Sequence, residues 1–120
     1  WDIWETSISQ LLPLPTPEDE YANLGSSLAI GRIESHYFVN NSFFPHDNYL
    51  LEGAAKLPRF PTFIVNGRYD VICPSSTAVE LHKAMPHAEL TIIPDAGHST
   101  NEKGIALALL TAMNQLKHIL

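Results

Sequence analysis

Two residues of this 120-residue chain combine the types and setting needed for acid–base chemistry. Asp70 closes the run Phe63-Ile64-Val65-Asn66-Gly67-Arg68-Tyr69-Asp70, and His98 lies within Ile92-Ile93-Pro94-Asp95-Ala96-Gly97-His98-Ser99. Each follows a short β-branched stretch and precedes a helical pattern. A carboxylate that accepts the imidazole Nδ1–H fixes the ring tautomer and stabilises the imidazolium, while the other ring nitrogen takes a proton from a nucleophile and returns it to a leaving group. Such a pair is two members of a three-residue device. No Gly-x-Ser-x-Gly occurs in the chain, so the nucleophile is expected to lie outside these residues.

Blander readings exist for both. Asp70 could be a turn aspartate that bonds its own backbone, and His98 one of six histidines on a surface loop. The Gly97-His98-Ser99 context ahead of a helix sets His98 apart from His36, His46, His82, His87 and His118, which read as surface or structural. Asp95 is a rival acid, but three residues from His98 it is better placed to shape the loop; the orienting acid belongs on a separate strand end. Cys73 as a nucleophile is outweighed by a small residue packed at a helix start. No tight His/Glu pairing of the metal-binding kind occurs, so no metal is expected.

Glu5 and Glu34 sit among aromatic residues, in Trp1-Asp2-Ile3-Trp4-Glu5 and Ile33-Glu34-Ser35-His36-Tyr37-Phe38. A partly desolvated carboxylate attracts a cation more strongly. On composition alone, however, both read as solvent-facing helix glutamates, and Glu18-Asp19-Glu20 as a solvated helix start.

The elements that must position these groups differ along the chain. Before about residue 57 the pattern is helical and irregular. Trp1, Trp4, Ile8 and Leu11/Leu12 recur at helical spacing, and prolines at 13, 15 and 17 end that helix. A second helix is expected over Glu18 to Tyr37, a loop over Phe38 to Tyr49, and a short helix over Leu50 to Lys56. From Pro58 onward the texture is β-α-β-α. Thr62–Asn66 reads as a strand buried on both faces, and Leu90–Ile93 as the next strand. A helix opens at Pro74-Ser75 with a capping box at Thr77–Glu80 and with Ala78, Leu81 and Met85 toward the sheet. The last helix runs from about Gly104 behind a second capping box, Ser99–Glu102, with Ile105, Leu109, Ala112/Met113 and Leu116 as its buried stripe. A right-handed crossover makes the strands parallel, so Asp70 and His98 share one rim of the sheet. Two parallel strands need further cover, which is a sign that upstream strands belong to the fold.

The net charge of -6 argues against a nucleic-acid partner or an anionic membrane surface. No apolar run is long enough to cross a bilayer. The single cysteine, Cys73, fits a reducing compartment. The opening Trp1-Asp2-Ile3-Trp4 lacks a leader pattern and an initiator Met, and reads as the interior of a longer sequence.

Gly67-Arg68-Tyr69-Asp70-Val71-Ile72-Cys73-Pro74 and Pro94-Asp95-Ala96-Gly97-His98-Ser99 closely resemble the C-terminal motifs of the proline iminopeptidase (prolyl aminopeptidase) family of α/β-hydrolase serine peptidases. Trp4-Glu5 and Gly31-Arg32-Ile33-Glu34-Ser35-His36-Tyr37-Phe38 resemble that family's helical cap. The resemblance implies Asp70 as triad acid, His98 as triad base, and Glu5 and Glu34 as the carboxylates that hold the substrate's N-terminal imino group. It implies that Tyr37 and Phe38 help to line the pocket for the proline ring. It further implies release of N-terminal proline from peptides, no cofactor or metal, and a cytoplasmic setting.

The expected fold is therefore α/β: the C-terminal part of an α/β-hydrolase, with residues 1–57 as part of a helical cap and 58–120 as the last two strands and helices of the catalytic domain. The chain is expected to be roughly the last two-fifths of the enzyme. Its partner is then the N-terminal remainder, and alone it is inactive. Another capped hydrolase, such as an esterase or epoxide hydrolase, and a non-catalytic binding or assembly piece are the alternatives.

Overall fold

Phe63–Gly67 forms β1 and Glu89–Ile93 forms β2, and the two pair in parallel from Phe63↔Glu89 to Gly67↔Ile93. This computed structural model describes residues 2–12 and 24–119. In order, its helices are α1 (Asp2–Ile8), α2 (Leu24–Val39), α3 (Tyr49–Ala54), α4 (Ser75–Ala84) and α5 (Lys103–Leu116), with a short 3-10 turn at Asn41–Phe43. The mixed α/β class read from the sequence is the class observed. Trp1, the proline stretch and the expected helix start at Glu18 lie outside the described residues.

Alternation along β1 sends neighbouring side chains to opposite faces. Ile64 packs with Ala54, Met85, Ala88, Leu81 and Ala84, so α3 and α4 cover one face. Val65 packs with Ile93, Ala96, Ile105 and Ala108, so α5 covers the other. Alanines alternate with larger apolar residues on both faces. The strands are half-buried rather than sealed, with Gly67 and Ile93 as their buried ends.

Several expected details differ. β2 begins one residue early, because Glu89 N–H donates to Thr62 O at 2.9 Å and extends the pairing. The stripe on α5 is narrower than expected: Ile105 and Ala112 are buried, whereas Leu109 is partly exposed and Met113 faces outward. Neither capping box forms. α4 starts at Ser75 after Pro74, which places Thr77 inside the first turn. α5 starts at Lys103, and the Glu102 side chain is engaged elsewhere. α1 ends at Ile8, so Leu11 and Leu12 lie beyond the helix and are exposed, as is Trp4. Between α2 and α3 the chain turns through three successive positive-φ residues, Asn41, Ser42 and Phe43.

Candidate active site

The loops that leave β1 and β2 cross in direct contact. Arg68 N–H donates to Ile93 O and Tyr69 N–H to Ala96 O, each at 2.9 Å. Gly67 makes the crossing possible: a Cβ there would run into the carbonyl oxygens of Gly97 and Ala96. The missing side chain, rather than an unusual backbone angle, is what this position requires.

The crossing delivers Asp70 to His98. Asp70 is the one charged residue buried among those described, 8% exposed. Its Oδ1 accepts from Ile72 N–H at 3.0 Å and Cys73 N–H at 2.7 Å. Its Oδ2 lies 3.0 Å from His98 Nδ1, although 28 residues separate the two in sequence. One oxygen thus bonds the local turn and the other meets the ring. An ionised carboxylate only accepts hydrogen bonds, so a neutral imidazole at this contact donates through Nδ1–H and keeps its lone pair on Nε2. The His98 side chain is 40% exposed against 5% for Asp70, so the ring reaches solvent while its partner does not.

Asn66 completes the acid's setting. Its side-chain amide donates to Gly67 O at 3.0 Å, Cys73 O at 3.3 Å and Asp70 Oδ2 at 3.4 Å. The sequence reading passed over it, although a lone amide at the end of the apolar run Phe63-Ile64-Val65 was a usable signal. Cys73, expected to pack at the start of α4, is exposed. Its thiol is pushed above the ordinary pKa by partial desolvation first and by the charge of Asp70 second.

The turn that carries His98 is held from α1. His98 N–H and Ser99 N–H donate to Ser9 O, at 2.8 and 2.7 Å. The reason is local. In a continuing helix the Ser9 carbonyl would accept from residue 13, which is proline and has no N–H. The stop that ends α1 thus frees a carbonyl for the histidine turn, a function that sequence reading missed. Glu5 stands one helical turn ahead of Ser9 on α1 and is half-buried.

Glu34, Tyr37 and Phe38 lie on α2, which packs against the Asn41–Phe43 turn. Tyr37 meets Phe43 edge-on, with ring centroids 5.4 Å apart. It borders an open cleft of about 520 Å³ together with Ala29, Arg32, Ile33 and His36, and Phe38 is not among its walls. Glu34 is half-buried and Phe38 is 60% exposed. Among the described residues no group of three or more His, Cys, Asp or Glu is arranged to hold a metal. No described helix is long and apolar enough to cross a membrane.

A parallel strand pair covered by helices on both faces, with an acid and a histidine in contact just past the strand ends, defines the C-terminal region of an α/β-hydrolase. Residues 44–108, more than half of the chain, match the TAP-like protein family, and the chain belongs to that α/β-hydrolase family. It is similar to a proline iminopeptidase of Arabidopsis thaliana, 46% identical over the whole chain and 32% of that protein. A probable proline iminopeptidase of Leptolyngbya boryana is 44% identical over 96% of the chain and 36% of its own length. The Neisseria gonorrhoeae proline iminopeptidase is 40% identical over 97% of the chain and 36% of its own length. The chain spans about a third of the length of the curated relatives it matches.

Proposed function

We propose that this chain supplies the acid–base half of a serine peptidase that releases N-terminal proline from peptides. The observation that carries the proposal is the 3.0 Å approach of His98 Nδ1 to the buried Asp70 carboxylate, in a chain whose relatives are named proline iminopeptidases. Asp70 orients the imidazole. Nε2 of His98 takes the proton of a serine hydroxyl as that oxygen attacks the proline's own carbonyl carbon, then gives it to the nitrogen of the second residue as the C–N bond breaks. Water, deprotonated by the same nitrogen, attacks the prolyl ester; the bond to the serine oxygen breaks, that oxygen takes the proton back, and proline leaves. Neither metal nor cofactor enters these steps.

The serine and the oxyanion donors belong to polypeptide outside these residues. Without them His98 has nothing to deprotonate, so the 120-residue piece alone is inactive. The exposed apolar side chains of α5, Leu107, Leu110 and Met113, support a larger assembly that covers them. In that assembly residues 1–57 form part of the cap and 58–120 the end of the catalytic domain. Glu5 and Glu34 hold the substrate's secondary amine, and Tyr37 and Phe38 flank its ring. A peptide with free N-terminal proline is the substrate, and the enzyme works in the cytoplasm.

The test uses the full open reading frame that encodes this chain. It should hydrolyse a prolyl arylamide, fail on the N-acetylated analogue, and lose activity in His98→Ala. Equal rates on the free and blocked substrates would refute amine anchoring, and an active His98→Ala variant would refute the assignment of the base.

A further inference from the structure

The Glu102 carboxylate sits where a capping box would place it, yet it does not cap α5. It turns back to the histidine loop. Oε1 accepts from Gly97 N–H at 2.6 Å, and Oε2 accepts from Leu11 N–H at 3.3 Å, across 91 residues of sequence. Ser9 O takes the next two amides, those of His98 and Ser99. Three consecutive N–H groups, at 97, 98 and 99, are thereby held by two acceptors. One acceptor belongs to the segment after α1, and the other bridges to it. A Cβ on Gly97 would meet Glu102 Oε1 at 3.1 Å, Leu11 N at 3.1 Å and Ser9 O at 3.2 Å, which is tighter than ordinary contact. Glycine at 97 is what lets both acceptors close on the turn.

We infer that Glu102 is a positioning residue: it clamps the His98 turn to the segment following α1 and so ties the placement of the base to that of the helix bearing Glu5. The functional half of this inference rests on His98 being the base; the clamp itself is a matter of geometry. A short charge-assisted bond to the amide directly before His98 fixes the peptide plane from which the ring projects. The second oxygen ensures that the α1 segment and the histidine turn move together. Displacement of a catalytic group by about 1 Å costs on the order of 100-fold in rate.

The experiment uses the full-length protein, with Glu102→Ala, Glu102→Gln and His98→Ala. Hydrogen–deuterium exchange is followed across residues 9–12 and 95–101, and kcat and KM for a prolyl arylamide are measured in parallel. Gln keeps a carbonyl oxygen for Gly97 N–H but presents an amide donor to Leu11 N–H, so it preserves one bond of the two. Glu102→Ala should accelerate exchange at both segments and lower kcat about 10- to 100-fold, with KM changed far less. Glu102→Gln should protect 95–101 more than 9–12 and recover part of kcat. Should Ala fail to fold, Gln alone decides: wild-type exchange at 9–12 together with wild-type kcat overturns the inference. Silencing by His98→Ala with no effect of either Glu102 variant on exchange or kcat also overturns it, while the peptidase proposal stands. If His98→Ala remains active the peptidase proposal fails, and exchange alone still decides whether Glu102 clamps the turn.

Discussion

Asp70 Oδ2 and His98 Nδ1 stand 3.0 Å apart at the carboxyl ends of adjacent parallel strands, with the carboxylate buried and the ring reaching solvent. The carboxylate has no spare acceptor to give away: Oδ1 serves two turn amides, and Oδ2 serves His98 and, more weakly, Asn66. Asp70→Asn presents an NH2 to one of these donors and unsettles the ring's tautomer. In the full-length protein it should lower kcat by roughly 10³- to 10⁴-fold. Steady-state kinetics on a prolyl arylamide check this, and a loss of less than tenfold would speak against an orienting role.

Asn66→Ala removes the amide whose two hydrogens are shared among Gly67 O, Cys73 O and Asp70 Oδ2, without touching the ring. The lost bonds should cost about 0.5–1.5 kcal/mol of stability, read as a lower midpoint in urea unfolding of the intact protein. The loss of kcat should remain well below that of Asp70→Asn.

Gly67→Ala should be more damaging than its size implies. The added methyl meets backbone carbonyls rather than a flexible side chain, so the two strand-exit loops must separate. A cost of about 1–3 kcal/mol or more is expected, and the Asp70–His98 contact should loosen with it. A variant with wild-type stability and wild-type kcat would contradict the crossing geometry.

Cys73 is exposed, but its thiol is shifted up by desolvation and by Asp70. At pH 8 the reactive thiolate is therefore scarcer than in a free cysteine, and alkylation by iodoacetamide should be slower than for an unstructured thiol. The rate should climb as pH rises toward the raised pKa. The raised thiol pKa costs the fold nothing below the unfolded-state pKa, and stability falls as pH rises from there through the folded-state pKa. Asp70→Asn removes the charge and should speed alkylation at pH 8. Its failure to do so would leave burial as the only cause.

The second half of the chain was legible because punctuation and apolar runs agree there. Phe63-Ile64-Val65 and Leu90-Thr91-Ile92-Ile93 are short, β-branched and bounded by Gly67, Pro86 and Pro94, so strand, helix and strand could be placed within a residue or so. From that order alone the shared rim of Asp70 and His98 follows. What escaped is what depends on distant partners. The Ser99–Glu102 pattern is a sound local capping signal, but Gly97 and Leu11 compete for the same carboxylate and win. The role of Ser9 was readable only in part: the proline at 13 announces an orphan carbonyl, while its acceptance of the His98 and Ser99 amides depends on how the whole chain folds. The turn at Asn41–Phe43 has three positive-φ residues, only one of them an asparagine, and no glycine to flag it. Aromatic neighbours set Glu5 and Glu34 apart, but composition alone read them as ordinary helix glutamates, and only the resemblance gives them an amine to hold.

Glu5→Gln and Glu34→Gln together should cripple turnover of prolyl arylamides while sparing a simple ester that lacks the amine. The check is the ratio of kcat/KM on the two substrates. Equal losses on both would assign the two carboxylates to folding rather than to amine binding.

The most direct measurement is the rate at which the full-length protein is labelled by a fluorophosphonate probe, compared among wild type, Asp70→Asn and His98→Ala. An acid–base pair that activates a serine predicts rapid labelling of wild type and rates at least about 100-fold slower in both variants. Equal labelling of all three, or no labelling of wild type, would contradict the pairing of Asp70 and His98 as the working half of a serine peptidase.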